Sequence, residues 1–158
     1  PFEANPMFEG TYTALITPFR DGAVDEPALR NLIREQIAAG VDGIVPCGST
    51  GESATMNHAE HQRVIAISVE EAAGKVKVIA GTGSNNTAEA ISLTTYAKKA
   101  GADAALLISP YYNKPTQEGH VAHYRAIADA ATALKPIRTP PHPGTAVNAS
   151  ARSMVSRI

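Results

Sequence analysis

Short apolar runs rich in β-branched residues recur along this chain at 11–17, 43–46, 76–80 and 104–108. Each is followed by a small or polar turn and then by a segment with helical periodicity. The repeat is roughly 30 residues, the size of one βαβ unit. The runs have no wet face: Ile44-Val45, Val76-Lys77-Val78-Ile79 and Ala104-Ala105-Leu106-Leu107-Ile108 are apolar on both sides. That pattern belongs to parallel strands covered by helices rather than to an antiparallel sheet with one solvated face. Two architectures satisfy it, an open doubly wound sheet and a closed barrel of eight strands and about 250 residues. A chain of 158 residues holds four such units and the start of a fifth, and periodicity leaves both architectures open.

The helical segments carry their own punctuation. Asp25 is placed to cap the first, with Pro27 in its opening turn, Leu29, Leu32, Ile33 and Ile37 on one apolar face and Gly40 at its end. Asn57 with Glu60, and Asn86 with Glu89, predict two capping boxes, closed by Gly74 and Gly101. Thr116 opens a fourth helix with Val121, Tyr124, Ile127 and Ala128 inward.

Fourteen basic and fifteen acidic residues, with no run of either sign, offer no surface for nucleic acid or for an anionic membrane. No stretch approaches the ~20 apolar residues of a membrane span. The single cysteine, Cys47, excludes an intramolecular disulfide and fits a reducing cytoplasm. Residues 1–6 precede Met7 and are expected to be an extension or tag.

In either architecture the chemistry sits at the carboxyl ends of the strands. After the second run stands Cys47-Gly48-Ser49-Thr50-Gly51-Glu52-Ser53. Its glycines let backbone approach an anion while amides and the Ser49 and Thr50 hydroxyls donate, which suits a carboxylate or phosphate. The alternative is a tight turn with a helix cap. The spacing is not that of a Walker loop. After the fourth run, Tyr111 and Tyr112 stand side by side beside Pro110. A phenol can relay a proton in a dry cleft, and tyrosine also packs well at interfaces. His58 with His61, and His120 with His123, are helical pairs. No further ligands accompany them, so surface or interface histidines are expected and no metal. Cys47 is expected to be a buried structural thiol.

Three stretches then carry a resemblance: Gly48-Ser49-Thr50-Gly51-Glu52-Ser53, Ala80-Gly81-Thr82-Gly83-Ser84-Asn85 and Tyr111-Tyr112-Asn113-Lys114-Pro115-Thr116-Gln117-Glu118-Gly119. With Gly10-Thr11-Tyr12-Thr13-Ala14-Leu15-Ile16-Thr17-Pro18-Phe19, and over about residues 7–134, they make the chain similar to the dihydrodipicolinate synthase family of class I pyruvate aldolases. The resemblance implies an α/β fold, a TIM (β/α)8 barrel of which residues 7–134 supply the first four to five βα units. It implies a cytoplasmic lyase of the lysine (diaminopimelate) pathway that needs no cofactor. Such an enzyme condenses pyruvate with aspartate 4-semialdehyde through a lysine Schiff base, and works as a homotetramer, a dimer of dimers. Carried over, Ser49 and Thr50 hold the pyruvate carboxylate, Ser49 joins a proton relay, and Tyr112 completes that relay from the neighbouring subunit. A lysine effector site falls on Ser53, Ala54, His58, His61, Asn85, Glu89 and Tyr111. The Gly-Ser-Thr-Gly-Glu motif is shared with N-acetylneuraminate lyase and other pyruvate aldolases, which form the alternative activity. A catalytically dead fragment serving as an interaction or regulatory module is the alternative of another class.

Beyond residue 134 the family pattern breaks. Pro140 stands where the resemblance expects a catalytic tyrosine, and no arginine lies between Gly144 and Thr145. Adjacent prolines at 140 and 141 remove the amides that a buried strand needs. Residues 135–158 are therefore expected to be a divergent or unreliable continuation of the fifth strand and its helix. The Schiff-base lysine is expected beyond Ile158, with Lys135 no match for it. Residues 1–158 alone are expected to self-associate and to lack synthase activity.

Overall fold

The computed structural model describes residues 8–131 and the strand at 135–138. Five strands, β1 (Tyr12–Ala14), β4 (Gly43–Val45), β5 (Lys77–Gly81), β6 (Ala104–Leu107) and β7 (Lys135–Arg138), form one sheet in the order β1-β4-β5-β6-β7. Every pairing in it is parallel, with Ile44 opposite Val78 and Ala80 opposite Ala105. Each strand is laid beside its predecessor and the order never reverses. A doubly wound sheet requires a reversal at its switch point, so the arrangement is an arc of a βα barrel.

The helices α1 (Glu26–Ala38), α2 (His58–Ala72), α3 (Thr87–Ala100) and α4 (Gln117–Ala130) connect consecutive strands. Their starts follow the sequence closely. Asp25 accepts from the Ala28 amide, Asn57 and Glu60 form a reciprocal capping box, and the Thr116 side chain accepts from Gly119. One expectation fails: Glu89 does not complete a box at α3. Asn86 caps through the Ala88 and Glu89 amides, but the Glu89 carboxylate is engaged elsewhere, as described below. At the C-terminus of α2 the left-handed cap is Ala73, with φ 45°, one residue before the expected Gly74.

The first apolar run, expected as a strand over 11–17, pairs only over β1. The chain then makes a small antiparallel hairpin, β2 (Phe19–Arg20) with β3 (Ala23–Val24). Asp21 and Gly22 take φ of 52° and 80° at its turn, the conformation for which an Asp-Gly pair is favoured.

The principal core lies between the sheet and α1 and α2, with Leu29, Ile33, Ile44, Val64, Ile65, Ile67 and Val78 buried. Leu32 and Ile37 of the expected α1 face are only half-buried. A second cluster joins Ala90, Ala105, Leu107, Tyr124 and Ile127 between α3, β6 and α4. Outside, Arg30 binds Glu70 and Glu71, Arg34 binds Glu71, and Arg63 binds Glu26, riveting α1 to α2. In β7, the last strand among the described residues, Pro136 sits opposite Ala105. The fifth parallel strand is thus present at 135–138, while Pro140, Pro141, Gly144 and Thr145 lie outside the described residues, as do residues 1–6. Among the described residues no helix is long and apolar enough to cross a membrane.

Candidate active site and effector cluster

The carboxyl ends of β4, β5 and β6 bring three loops to one edge of the arc. The loop after β4 turns at once, with Cys47 at φ 57°. It winds back on itself through Gly51 N–H to Gly48 O (3.0 Å) and Glu52 N–H to Ser49 O (3.2 Å). The buried Thr17 hydroxyl donates to Gly51 O at 2.7 Å, which fastens this loop to the segment after β1. A Cβ on Gly51 would meet Leu15 O at 2.9 Å, so the two segments touch backbone to backbone. Held in this way, Ser49 and Thr50 remain exposed, with hydroxyls available to an anion. Glu52, at φ 56°, is strained, as residues at functional sites often are. Cys47 is buried, with Sγ against His61 O at 3.7 Å. Burial pushes its thiol far above the ordinary range, so it stays protonated and is not a nucleophile.

The loop after β5 is built on buried polar contacts. His61, 4% exposed, donates from Nε2 to Gly81 O at 2.7 Å, which fixes its tautomer, since a carbonyl only accepts. Thr94 donates to Ala90 O at 2.7 Å, leaving the Thr82 hydroxyl to donate to Thr94 across 2.8 Å. Farther along, Ser84 donates to one oxygen of Glu89 and His58 Nε2 meets the other, each at 2.5 Å. The Asn86 amide donates to the Ser84 hydroxyl at 3.0 Å. First the Ser84 hydroxyl and then His58 hold the Glu89 carboxyl below its usual range. These contacts keep Glu89 from the capping box.

The loop after β6 presents Tyr111, half-exposed, and Tyr112, 94% exposed. Asn113 and Asn85 cross between the loops, Asn113 Nδ2 to Asn85 O at 3.3 Å and Asn85 Nδ2 to Tyr111 O at 3.4 Å.

Of the residues marked out in the sequence, the structure joins His58 to Glu89 and Asn85 to Tyr111 at one side of this edge. Ser53 contributes its amide to Gly48 O at 3.5 Å, and Ala54 is exposed on the approach to α2. Among the described residues, no hydrogen bond joins the Ser49 or Thr50 side chain to the tyrosine loop. In the sequence, Ser84, Thr82 and Asn113 stand out only as members of the stretches that carry the resemblance, and Thr94 does not stand out at all. The contacts that join Thr82 to Thr94 and Asn113 to Asn85 span 12 and 28 residues, beyond what local patterning encodes.

The expectation of surface or interface histidines is corrected for two of the four. His61 and His123 are buried because each lies on the inward stripe of its helix. The His123 ring contacts Tyr124 edge-on and Thr87 Oγ1 at 2.9 Å, and its Nε2 has no partner among the described residues. Burial lowers the affinity of both rings for a proton; His120 adds to this at His123, while the Gly81 carbonyl partly offsets it at His61. The unfolded chain therefore takes up these protons first, from about pH 6.5 downward. Stability is fully present above that pH and lost as pH falls toward the folded-state values. Denaturant midpoints measured from pH 8 to pH 5 should fall on the acid side, and His123→Phe should flatten the slope. No group of three or more His, Cys, Asp or Glu side chains among the described residues could hold a metal ion.

Comparison with known proteins agrees with this geometry. The model of the dihydrodipicolinate synthetase family matches residues 7–137. The 4-hydroxy-tetrahydrodipicolinate synthase of Syntrophobacter fumaroxidans is 65% identical over 124 residues, covering 78% of this chain and 43% of that protein. The synthase of the same name from Nitratidesulfovibrio vulgaris is 63% identical over 122 residues, 77% of this chain and 42% of that one. The chain thus spans less than half the length of the curated relatives it matches. Among solved structures, dihydrodipicolinate synthase from Aquifex aeolicus superposes with a TM-score of 0.89 at 44% identity, over 95% of this chain and 52% of the other. The chloride-inhibited enzyme from Acinetobacter baumannii complexed with pyruvate gives 0.86 at 43% identity, over 94% and 52%. The enzyme from Cyanidioschyzon merolae with lysine bound gives 0.87 at 38%, over 96% and 53%.

Proposed function

This chain belongs to the dihydrodipicolinate synthetase family, and from that premise we propose that the complete protein condenses pyruvate with aspartate 4-semialdehyde to give 4-hydroxy-tetrahydrodipicolinate. The observation that carries the reading is the loop after β4, which holds the exposed Ser49 and Thr50 hydroxyls together on a rigid turn locked by Thr17 and Gly51. A carboxylate such as that of pyruvate accepts two such bonds at once. A lysine amine attacks C2 of pyruvate and water leaves, forming the imine. Loss of a methyl proton gives the enamine, whose carbon attacks the aldehyde carbon of the second substrate; the amine of that substrate then adds to the imine carbon and displaces the lysine, which closes the ring and frees the enzyme. The Ser49 hydroxyl and the Tyr112 phenol move protons between these steps and solvent. We place the imine-forming lysine outside residues 1–158. Borohydride reduction with pyruvate should therefore add a covalent adduct to the full-length enzyme and none to residues 1–158 expressed alone. An adduct on the shorter polypeptide would overturn that assignment. Turnover of N-acetylneuraminate, with none of aspartate semialdehyde, would overturn the substrate.

The second part of the proposal is a regulatory site for lysine. Glu89, kept ionised by Ser84 and His58, offers a carboxylate to an ammonium. Asn85, Tyr111, Ser53, Ala54, His58 and His61 complete the proposed set. Calorimetric titration of the full-length enzyme should register lysine binding at or below millimolar concentration. Glu89→Gln should weaken it at least about tenfold, in line with the loss of a charged hydrogen bond. A flat titration at millimolar lysine removes the site.

We further propose that the enzyme works as a dimer of dimers in the cytoplasm. The support is Tyr112, whose side chain stands almost wholly clear of the rest of this chain, as a group that enters a neighbour's site would.

A further inference from the structure

The backbone on either side of Asn113 is strained. Tyr112 and Lys114 have φ of 67° and 41°, a region that residues with a Cβ enter at a cost and keep only where their surroundings impose it. Within this chain the Tyr112 side chain imposes nothing, since 94% of it is exposed. What restrains the turn is a set of asparagine bonds. The Asn113 amide closes it on Tyr111 O at 2.8 Å. Its Nδ2 then reaches Asn85 O at 3.3 Å, and Asn85 Nδ2 returns to Tyr111 O at 3.4 Å. Two side chains thus bind each other's main-chain neighbourhood and fasten the loop after β6 to the loop after β5. The second loop is rooted in the buried Thr82–Thr94 contact and in the capped start of α3, so the strained turn is clasped to a firm support.

We propose that Asn113, acting with Asn85, is a positioning residue for Tyr112. The reciprocal amide clasp holds the backbone from which the phenol is presented. This role rests on the reading of Tyr112 as a proton-relay group. An asparagine is required because its amide donates to a carbonyl; an aspartate of equal size cannot.

The test uses Asn113→Ala and Asn113→Asp in the full-length enzyme. Both should lower kcat about tenfold, as a small misplacement of a reacting group does, with KM for pyruvate changed less than twofold. Amide exchange at residues 111–114 should accelerate in both. In a Tyr112→Phe background, Asn113→Ala should cause no further loss, because the group it positions is gone. Unchanged exchange, or a kcat loss that multiplies with that of Tyr112→Phe, overturns the clasp. Accelerated exchange alongside a Tyr112→Phe enzyme of undiminished kcat overturns instead the relay reading of Tyr112, and this role with it.

Discussion

Replacing Tyr112 by phenylalanine in the full-length enzyme is expected to lower kcat by about 10²- to 10⁴-fold, the range of general acid–base contributions. Thermal stability should stay within about 0.5 kcal/mol, as for an exposed substitution that removes no packing. Burial separates the two effects: a side chain 94% exposed belongs to neither hydrophobic cluster, so a large kinetic loss in an enzyme of unchanged oligomeric state reports chemistry. Mixing subunits tests whether the hydroxyl works across an interface. In a dimer pairing a Ser49→Ala subunit with a Tyr112→Phe subunit, trans action puts both lesions in one site and leaves the other intact. Random reassociation in equal amounts should then recover about a quarter of wild-type activity from two inactive parents, since half the dimers are hybrid and half their sites intact. No recovery would place Tyr112 in the site of its own subunit.

The largest effect on folding is expected at Gly81. A Cβ there would lie 2.0 Å from Cys47 O, 2.4 Å from Cys47 C and 2.8 Å from Gly48 N, all of them backbone. No rotamer change relieves such an overlap. The end of β5 must back away from the loop after β4, and the His61 bond to Gly81 O must stretch or break with it. Gly81→Ala should cost 3 kcal/mol or more, roughly the upper end of overpacking penalties plus a lost buried bond, and much of the protein should fail to fold. Gly48→Ala is the matched control. A Cβ there meets nothing within 4 Å, so its denaturant midpoint should stay close to wild type. Equal losses in the two variants would show that backbone contact between these loops is not what makes glycine necessary at 81.

Much of the fold was legible because buried parallel strands and capped helices write themselves locally. Asp25, Asn57 and Thr116 cap where their spacing places them. The choice of barrel arc over doubly wound sheet was not legible, since it depends on which side each new strand joins, and no residue pattern records that. The hairpin at 19–24 had a signal in Asp21-Gly22, masked by the apolar run before it. The burial of His61 was also readable: it precedes Val64, Ile65 and Ser68, all buried, by three, four and seven residues, the spacing of one helix face. The site was legible as loops but not as contacts. Glu89 at the third position of α3 is an apparent capping residue, and it takes the Ser84 hydroxyl and the approach of His58, 31 residues earlier, to show why it is not one.

The monotonic strand order bears on how evenly the rim resists distortion. Each βα unit leans mainly on the units before and after it, so a disturbance at one loop passes first to its neighbours. The Ser49–Thr50 loop issues from β4 and leads into α2, which is flanked by α1 and α3 and lines the larger core. The tyrosine loop issues from β6, beside the smaller cluster. The arc therefore seats the anion-gripping loop over the larger cluster and the hydroxyl-bearing loop over the smaller one, where the Asn85–Asn113 clasp supplies stiffness that packing supplies less of.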